Sequence, residues 1–231
     1  MSDVSLEYRG GRTFAVCYRG IKFYMEPGKE AAEAVDADLL TSGGICCSDA
    51  AAIRSILTVS PKAKVVLPKA VAEKANTLGI DYHRMTTTDA ALRVEYFKNG
   101  EYGRVYGVPA ARRDAQGPQL DWTPIGGFPQ IGFMARFGGT TIWHSGLGVP
   151  YVDLTDRLRP YSVNVAIVTI GDETFNEVEA ADLAEAIDAT WLIPAPQSPG
   201  AADRFLQHML GHRPAQRFKV FQRGETWNVP E

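Results

Sequence analysis

Cys46 and Cys47 stand side by side where a glycine-containing loop, residues 42–45, runs toward helix-forming sequence. A thiol at a helix N-terminus is more readily ionised, because free N–H groups and the helix dipole favour its anion, so the pair includes a candidate nucleophile. The same pair also reads as two small, buried, inert thiols that pack as hydrophobes. His208 and His212 are spaced i,i+4, as two zinc ligands on one helix face would be. Met209, Leu210 and Gly211 lie between them, without the glutamate of a hydrolytic zinc helix, so an exposed polar face accounts for both histidines. His83 reads as a surface residue. With Cys17 as the third cysteine there is no even disulfide framework. The opening MSDVSLEYRG lacks the basic-then-apolar layout of a secretory signal. A reducing cytoplasm is the expected location.

These side chains need a scaffold, and the 231 residues supply one: 45% are hydrophobic and 22% charged, which suits a folded domain and excludes disorder as the main state. A net charge of -3 without a long basic run argues against nucleic-acid binding. The longest apolar runs, such as VNVAIVTI at residues 163–170, fall far below the roughly 20 residues of a membrane-spanning helix. RTFAVCYRG and IKFYMEP predict a hairpin around Gly20. A short strand at 38–41 leads into SGGICCSD, with Ser48 the predicted N-cap of a helix over 49–57. AKVVLP and KAVAEKANTLG repeat strand then helix, closed by Gly79. ALRVEYF and GRVYGVP are two more strands, and the Gly- and Pro-rich stretch 112–130 predicts a long surface loop. From Gln130 the pattern restarts with strands QIGFMARF and TTIWH, a helix near 151–158 and strand VNVAIVTI. A helix from Glu177, strand TWLIP, a helix over 201–210 and the strand-like RFKVFQ and TWNV follow. Asn176 and Glu179 form a capping-box pattern. The whole of 1–231 reads as one domain of two similar αβ halves, with two sheets face to face and helices outside.

Several phrases, in this order, resemble the metallo-β-lactamase fold and in particular its L-ascorbate-6-phosphate lactonase branch. Residues 20–27, GIKFYMEP, resemble that family's strand ending in Asp-Pro, and residues 37–41, ADLLT, resemble the strand leading into its metal loop. Residues 65–68 and 77–84 resemble its "VGP" and "LGI…R" segments, while VPAA at 108–111, IWHSG at 142–146 and WLIP at 191–194 resemble three later signatures. The resemblance runs from about Gly11 to Val229 and implies an α/β fold, an αββα sandwich of two mixed sheets with helices outside.

It also implies a two-metal hydrolase whose ligand positions are altered in this chain. Placed on the family's phrases, the loop histidines become Ser42 and Gly44, the Asp-His pair becomes Cys46 and Cys47, and a further histidine becomes Arg112. The bridging aspartate becomes Leu147 and the last histidine Pro196. Glycine, leucine and proline bring no side-chain donor, so the expectation is no metal and no other cofactor. At its ligand-matching position Arg112 would attract a carboxylate or phosphate, or else pair with Asp49 or Asp114. Arg112, Asp49 and Cys47 are thus the ligand-binding candidates, and any small ligand is expected to be anionic. Cys46 with His144, the histidine the resemblance brings toward the cleft, is the weaker catalytic pair. Tyr24, Trp122, Trp143 and Trp191 either line that cleft or pack as core. Two functions follow: a catalytically degenerate protein acting by ligand binding or by assembly, as a homo-oligomer or with a protein partner; or a divergent, metal-independent hydrolase of a lactone, ester or phosphate.

Overall fold

Alternating apolar residues in the first quarter of the chain make β1 (Val4–Gly10), β2 (Thr13–Tyr18) and β3 (Ile21–Met25), an antiparallel zigzag. The structure is a computed structural model describing residues 3–29, 36–124 and 126–230, with the side chains of Cys47 and Ser48 outside the described set. From β3 onward the connections lengthen and the strands become parallel: β4 (Leu39–Thr41), β5 (Lys64–Pro68) and β6 (Met85–Thr88). Helices α1 (Cys47–Val59) and α2 (Ala72–Thr77) lie in the β4–β5 and β5–β6 connections. The C-terminal β15 (Thr226–Asn228) returns to pair with β1 and completes a seven-stranded sheet.

The second sheet has six strands in the order β14-β13-β12-β11-β8-β7. Here β7 (Arg93–Lys98), β8 (Glu101–Pro109), β11 (Ile131–Phe137) and β12 (Thr140–His144) are antiparallel neighbours. β13 (Val165–Ile170) and β14 (Trp191–Pro196) are parallel to β12 and reached through α3 (Leu154–Leu158) and α4 (Glu177–Ala186). Helix α5 (Ala201–His212) packs Phe205 and Met209 against this layer.

Three apolar clusters correspond to the interfaces between four layers. Leu6, Phe14, Phe23, Phe133, Ile142, Ile167 and Ile193 fill the space between the sheets. Leu40, Ile53, Ile56 and Val65 seat α1 on the outside of the first sheet, and Trp143, Leu158, Leu183 and Phe205 seat the later helices on the second. This is the expected αββα sandwich.

The halves divide differently from the sequence pattern. Strands β7 and β8 precede Gln130 yet belong to the second sheet, because β8 pairs with every residue of β11. β1 and β6 were not expected as strands, and the stretch 112–130 is not wholly loop: Arg112–Asp114 (β9) and Gly117–Gln119 (β10) make a short hairpin. RFKVFQ forms no strand, touching the sheet only through a bridge between Leu192 and Phe218. The α1 N-cap is Cys46, with Asp49 in the capping box, rather than Ser48.

The capping box of α4 is built as its sequence specifies: Asn176 Oδ1 accepts from Glu179 N at 2.8 Å, and Glu179 Oε2 accepts from Asn176 N at 3.0 Å. Asn176→Ala removes the first of these, and a loss of about 1 kcal/mol in urea unfolding is expected. An unchanged midpoint would mean that Glu179 and its Arg113 partner hold the helix start without the cap.

Candidate functional site

In open and layered α/β sheets ligands gather outside the carboxyl ends of the parallel strands, where loops diverge and backbone groups end unpaired. Here the ends of β3, β4, β12, β13 and β14 meet along one edge of the sandwich. Gly43, just past β4, joins the two sheets: its carbonyl accepts from Ile131 N at 2.8 Å and its N–H donates to Glu26 Oε1 at 2.7 Å. A Cβ on Gly43 would lie 1.8 Å from the Ile131 carbonyl oxygen, so only glycine permits this approach.

Glu26 ends β3 in a left-handed backbone conformation, φ 51°, that non-glycine residues seldom adopt. Three contacts hold it there. Its N–H donates to the Thr41 carbonyl at 3.0 Å, its carbonyl accepts from Thr13 Oγ1 at 2.9 Å, and that hydroxyl also accepts from Gly28 N at 3.0 Å. The side chain points inward and is 2% exposed. Burial raises its carboxyl to about 7, against the lowering influence of Arg12 and of the Gly43 N–H.

Arg12 comes from the turn between β1 and β2, which Gly10 and Gly11 carry through positive φ. Its Nη2 meets Asp49 Oδ1 at 2.6 Å, and its Nε lies 3.7 Å from Glu26 Oε2, an ion pair too long for a hydrogen bond. Asp49, in the first turn of α1, is equally buried; its Oδ2 accepts from Cys46 N at 3.3 Å and from Cys46 Sγ at 3.0 Å. A guanidinium therefore sits between two buried carboxyl groups, one from each side of the first sheet's edge.

His144 closes the floor. It is fully buried, Gly146 N donates to its Nδ1 at 3.0 Å, and its Nε2 lies 2.7 Å from the Arg12 carbonyl. Since Nδ1 accepts, Nε2 carries the proton and donates to that carbonyl. Burial lowers the imidazole to about 4, so it is neutral at pH 7. Above this floor a cavity of about 230 Å3 is lined by Arg12, Gly28, Lys29, Asp49, Pro196 and Gln197, among others.

The sequence-derived candidates are only partly assembled here. Asp49 and Pro196 line the cavity, and Ser42 is buried beside it with its hydroxyl on the Gly44 carbonyl. Arg112 is placed elsewhere. It lies on β9 with its side chain 60% exposed, and its Nε pairs with Asp121 Oδ2 at 2.7 Å rather than with Asp49 or Asp114. The hairpin carries it out of the cleft, so the expected cationic floor belongs to Arg12 instead. Leu147 is half-buried in the turn after β12. Cys46 is exposed, not a buried thiol, and donates to Asp49; the side chain of Cys47 lies outside the described residues. The pairing of Cys46 with His144 is not built, because both His144 nitrogens are taken by backbone groups. His208 and His212 stack at 5.0 Å on α5. Of the four aromatics, Tyr24 and Trp143 are core, Trp191 packs on Trp227, and Trp122 is 64% exposed against Phe128.

Arg12 and Glu26 were missed from sequence. The Gly10-Gly11 turn beside an arginine, and an acid at the end of β3 where the resembling family has aspartate, were the available signals. Among the described residues, no three His, Cys, Asp or Glu side chains gather where they could hold a metal ion.

No family sequence model matches the chain, and neither does any curated protein sequence. Solved structures do match in fold. Igni18, a metallo hydrolase from the hyperthermophilic archaeon Ignicoccus hospitalis, is 15% identical with a TM-score of 0.75, over 97% of each chain. The metallo-β-lactamase fold protein YhfI from Bacillus subtilis is 10% identical, TM-score 0.70, over 97% of this chain and 99% of its own. An isothiocyanate hydrolase from Delia radicum gut bacteria is 12% identical, TM-score 0.71, over 97% and 98%. The chain thus has the metallo-β-lactamase fold, and at such identities the likeness extends to fold alone.

Proposed function

We propose that this chain uses the metallo-β-lactamase fold without a metal-activated water and acts by binding a ligand in the cleft floored by Arg12, Glu26 and Asp49. One observation carries the reading: a guanidinium lies between the two buried carboxyl groups of the cleft. A dinuclear site needs several anionic or imidazole donors with free lone pairs. Here Asp49 spends its oxygens on Arg12 and on Cys46, Glu26 spends one on Gly43, and His144 has no free nitrogen. These residues do not fit a two-metal centre, and the fixed cation of Arg12 would repel one. The hydrolase activities in the names of similar structures are properties of those proteins.

The test is elemental analysis of untagged protein, together with hydrolysis of model lactones, esters and phosphate esters with and without zinc or manganese. Less than stoichiometric metal and no metal-dependent turnover are expected. One or two tightly held transition metals per chain, or turnover abolished by a chelator, would overturn the reading.

A metal-independent hydrolase is the second reading, favoured by the thiol of Cys46 at 3.0 Å from Asp49 Oδ2, with Arg12 orienting that carboxylate. It expects ester hydrolysis that Cys46→Ser abolishes. Residual hydrolysis equal in both proteins would remove it.

A further inference from the structure

We infer that the cavity between Arg12, Lys29 and Gln197 is a binding site for a small oxyanion, a carboxylate or phosphate group. This rests on the reading above, that the cleft binds a ligand without a metal, and adds the chemistry of what it binds.

The cavity is lined by two cations, Arg12 and Lys29, and one acid, Asp49. Asp49, its acidic member, is ion-paired with Arg12 Nη2 and accepts from the Cys46 N–H and S–H. Glu26, behind Arg12, accepts from Gly43. On the donor side, Arg12 Nε is buried and makes no hydrogen bond, its nearest carboxylate oxygen being Glu26 Oε2 at 3.7 Å. Buried donors are nearly always satisfied, yet the Arg12 guanidinium keeps unused hydrogen-bonding capacity at the back of the cavity. Lys29 is exposed at the same cavity, and among the described residues no acid lies within ion-pairing distance of it. The Gln197 backbone N–H is spent on Ile170, and the residue lines the cavity with an amide that can donate or accept. A guanidinium, an ammonium and an amide line one small space with a single carboxylate among them, and this balance favours an acceptor-rich, negatively charged group. A metal ion or an ammonium ligand would meet two positive charges instead.

The same reasoning separates this cavity from the larger one beside α4. That space of about 390 Å3 also contains two guanidiniums, but Arg113 is bound by both oxygens of Glu179 and Arg204 is paired with Glu177. Both of its guanidiniums are ion-paired, as Arg12 is, but among the described residues it has no unpaired cation to match Lys29.

The experiment uses the full chain in thermal-shift and calorimetric titrations with acetate, oxalate, phosphate and sulfate, against chloride at equal ionic strength. At least one oxyanion is expected to raise Tm saturably in a one-to-one complex. The carboxylate and phosphate arms show which geometry fits. Lys29→Glu, at an exposed position in none of the ion pairs among the described residues, is expected to weaken that binding by about tenfold or more, because an attractive charge at the cavity becomes a repulsive one. Gln197→Ala should weaken it less, and both variants should keep the circular dichroism of the parent. Oxyanions that shift Tm no more than chloride, or binding unchanged in Lys29→Glu, would overturn the site while leaving the metal-free reading intact. Oxyanion binding that disappears with a chelator, in protein containing stoichiometric metal, would overturn both.

Discussion

Arg12→Met is expected to destabilise the chain by about 3–5 kcal/mol at pH 8, the usual loss when one partner of a buried ion pair is removed and the other is left uncompensated. Arg12 is only 13% exposed as a side chain, so water does little to replace it. Two carboxyl groups would then face each other at the sheet edge. They are not equivalent. Asp49 keeps its bonds from the Cys46 N–H and S–H, whereas Glu26, already raised to about 7, would protonate more readily still. The deficit is therefore expected to shrink as pH falls from 8 to 5. Adding Asp49→Asn to Arg12→Met should recover much of the loss, since the remaining charge is removed while a capping oxygen is kept. Urea denaturation of parent, single and double variants decides it. A single-variant loss below about 1 kcal/mol would show that the pair is as weak as a surface salt bridge.

Much of the sandwich was legible because its strands bury alternating or continuous apolar residues, and burial is what fixes register. VNVAIVTI is buried on both faces and could be nothing but a central strand; Asn176 with Glu179 marked the start of α4 to the residue. The failures share a physical cause. β1 alternates tyrosine and leucine with charged residues, and β6 reads Met-Thr-Thr-Thr, so neither stands out from a polar connection until a neighbouring strand supplies its hydrogen bonds. Arg112 matched a phrase in linear order, but a hairpin closed by Asp114 and Gly117 moves its side chain outward onto Asp121. Arg12 looked like any arginine in a turn. Its role arises only when the β1–β2 turn folds over the end of β3, a long-range contact that local pattern does not encode. His144 lies buried against the Arg12 turn, its chemistry set by two backbone groups, Gly146 N and the Arg12 carbonyl, that no side-chain motif announces.

The two buried titratable groups in the floor are expected to make opposite contributions to pH-dependent stability, so replacing one should expose the other. Glu26 moves from its ordinary 4.5 up to about 7 on folding, because burial disfavours the carboxylate. Between those values the folded chain holds a proton that the unfolded chain has released, so this contribution is fully present below pH 4.5 and is lost as pH rises through 7. His144 moves from 6.5 down to about 4, again through burial. In that window the unfolded chain binds the extra proton, so the histidine contribution is present above pH 6.5 and lost as pH falls through 4. Each is worth about 3 kcal/mol at most, and between pH 4.5 and 6.5 the two slopes oppose and largely cancel. Glu26→Gln keeps an acceptor for the Gly43 N–H and mimics the protonated acid. Its stability should match the parent near pH 4.5 and exceed it by up to about 3 kcal/mol at pH 8, a rise in Tm of roughly 6–12 °C for a chain of this size. Subtracting the parent profile from the variant profile removes every other titrating group common to both. A difference curve that stays flat from pH 4.5 to 8 would mean that Glu26 titrates alike in the folded and unfolded chain, and that the Arg12 guanidinium offsets its burial in full.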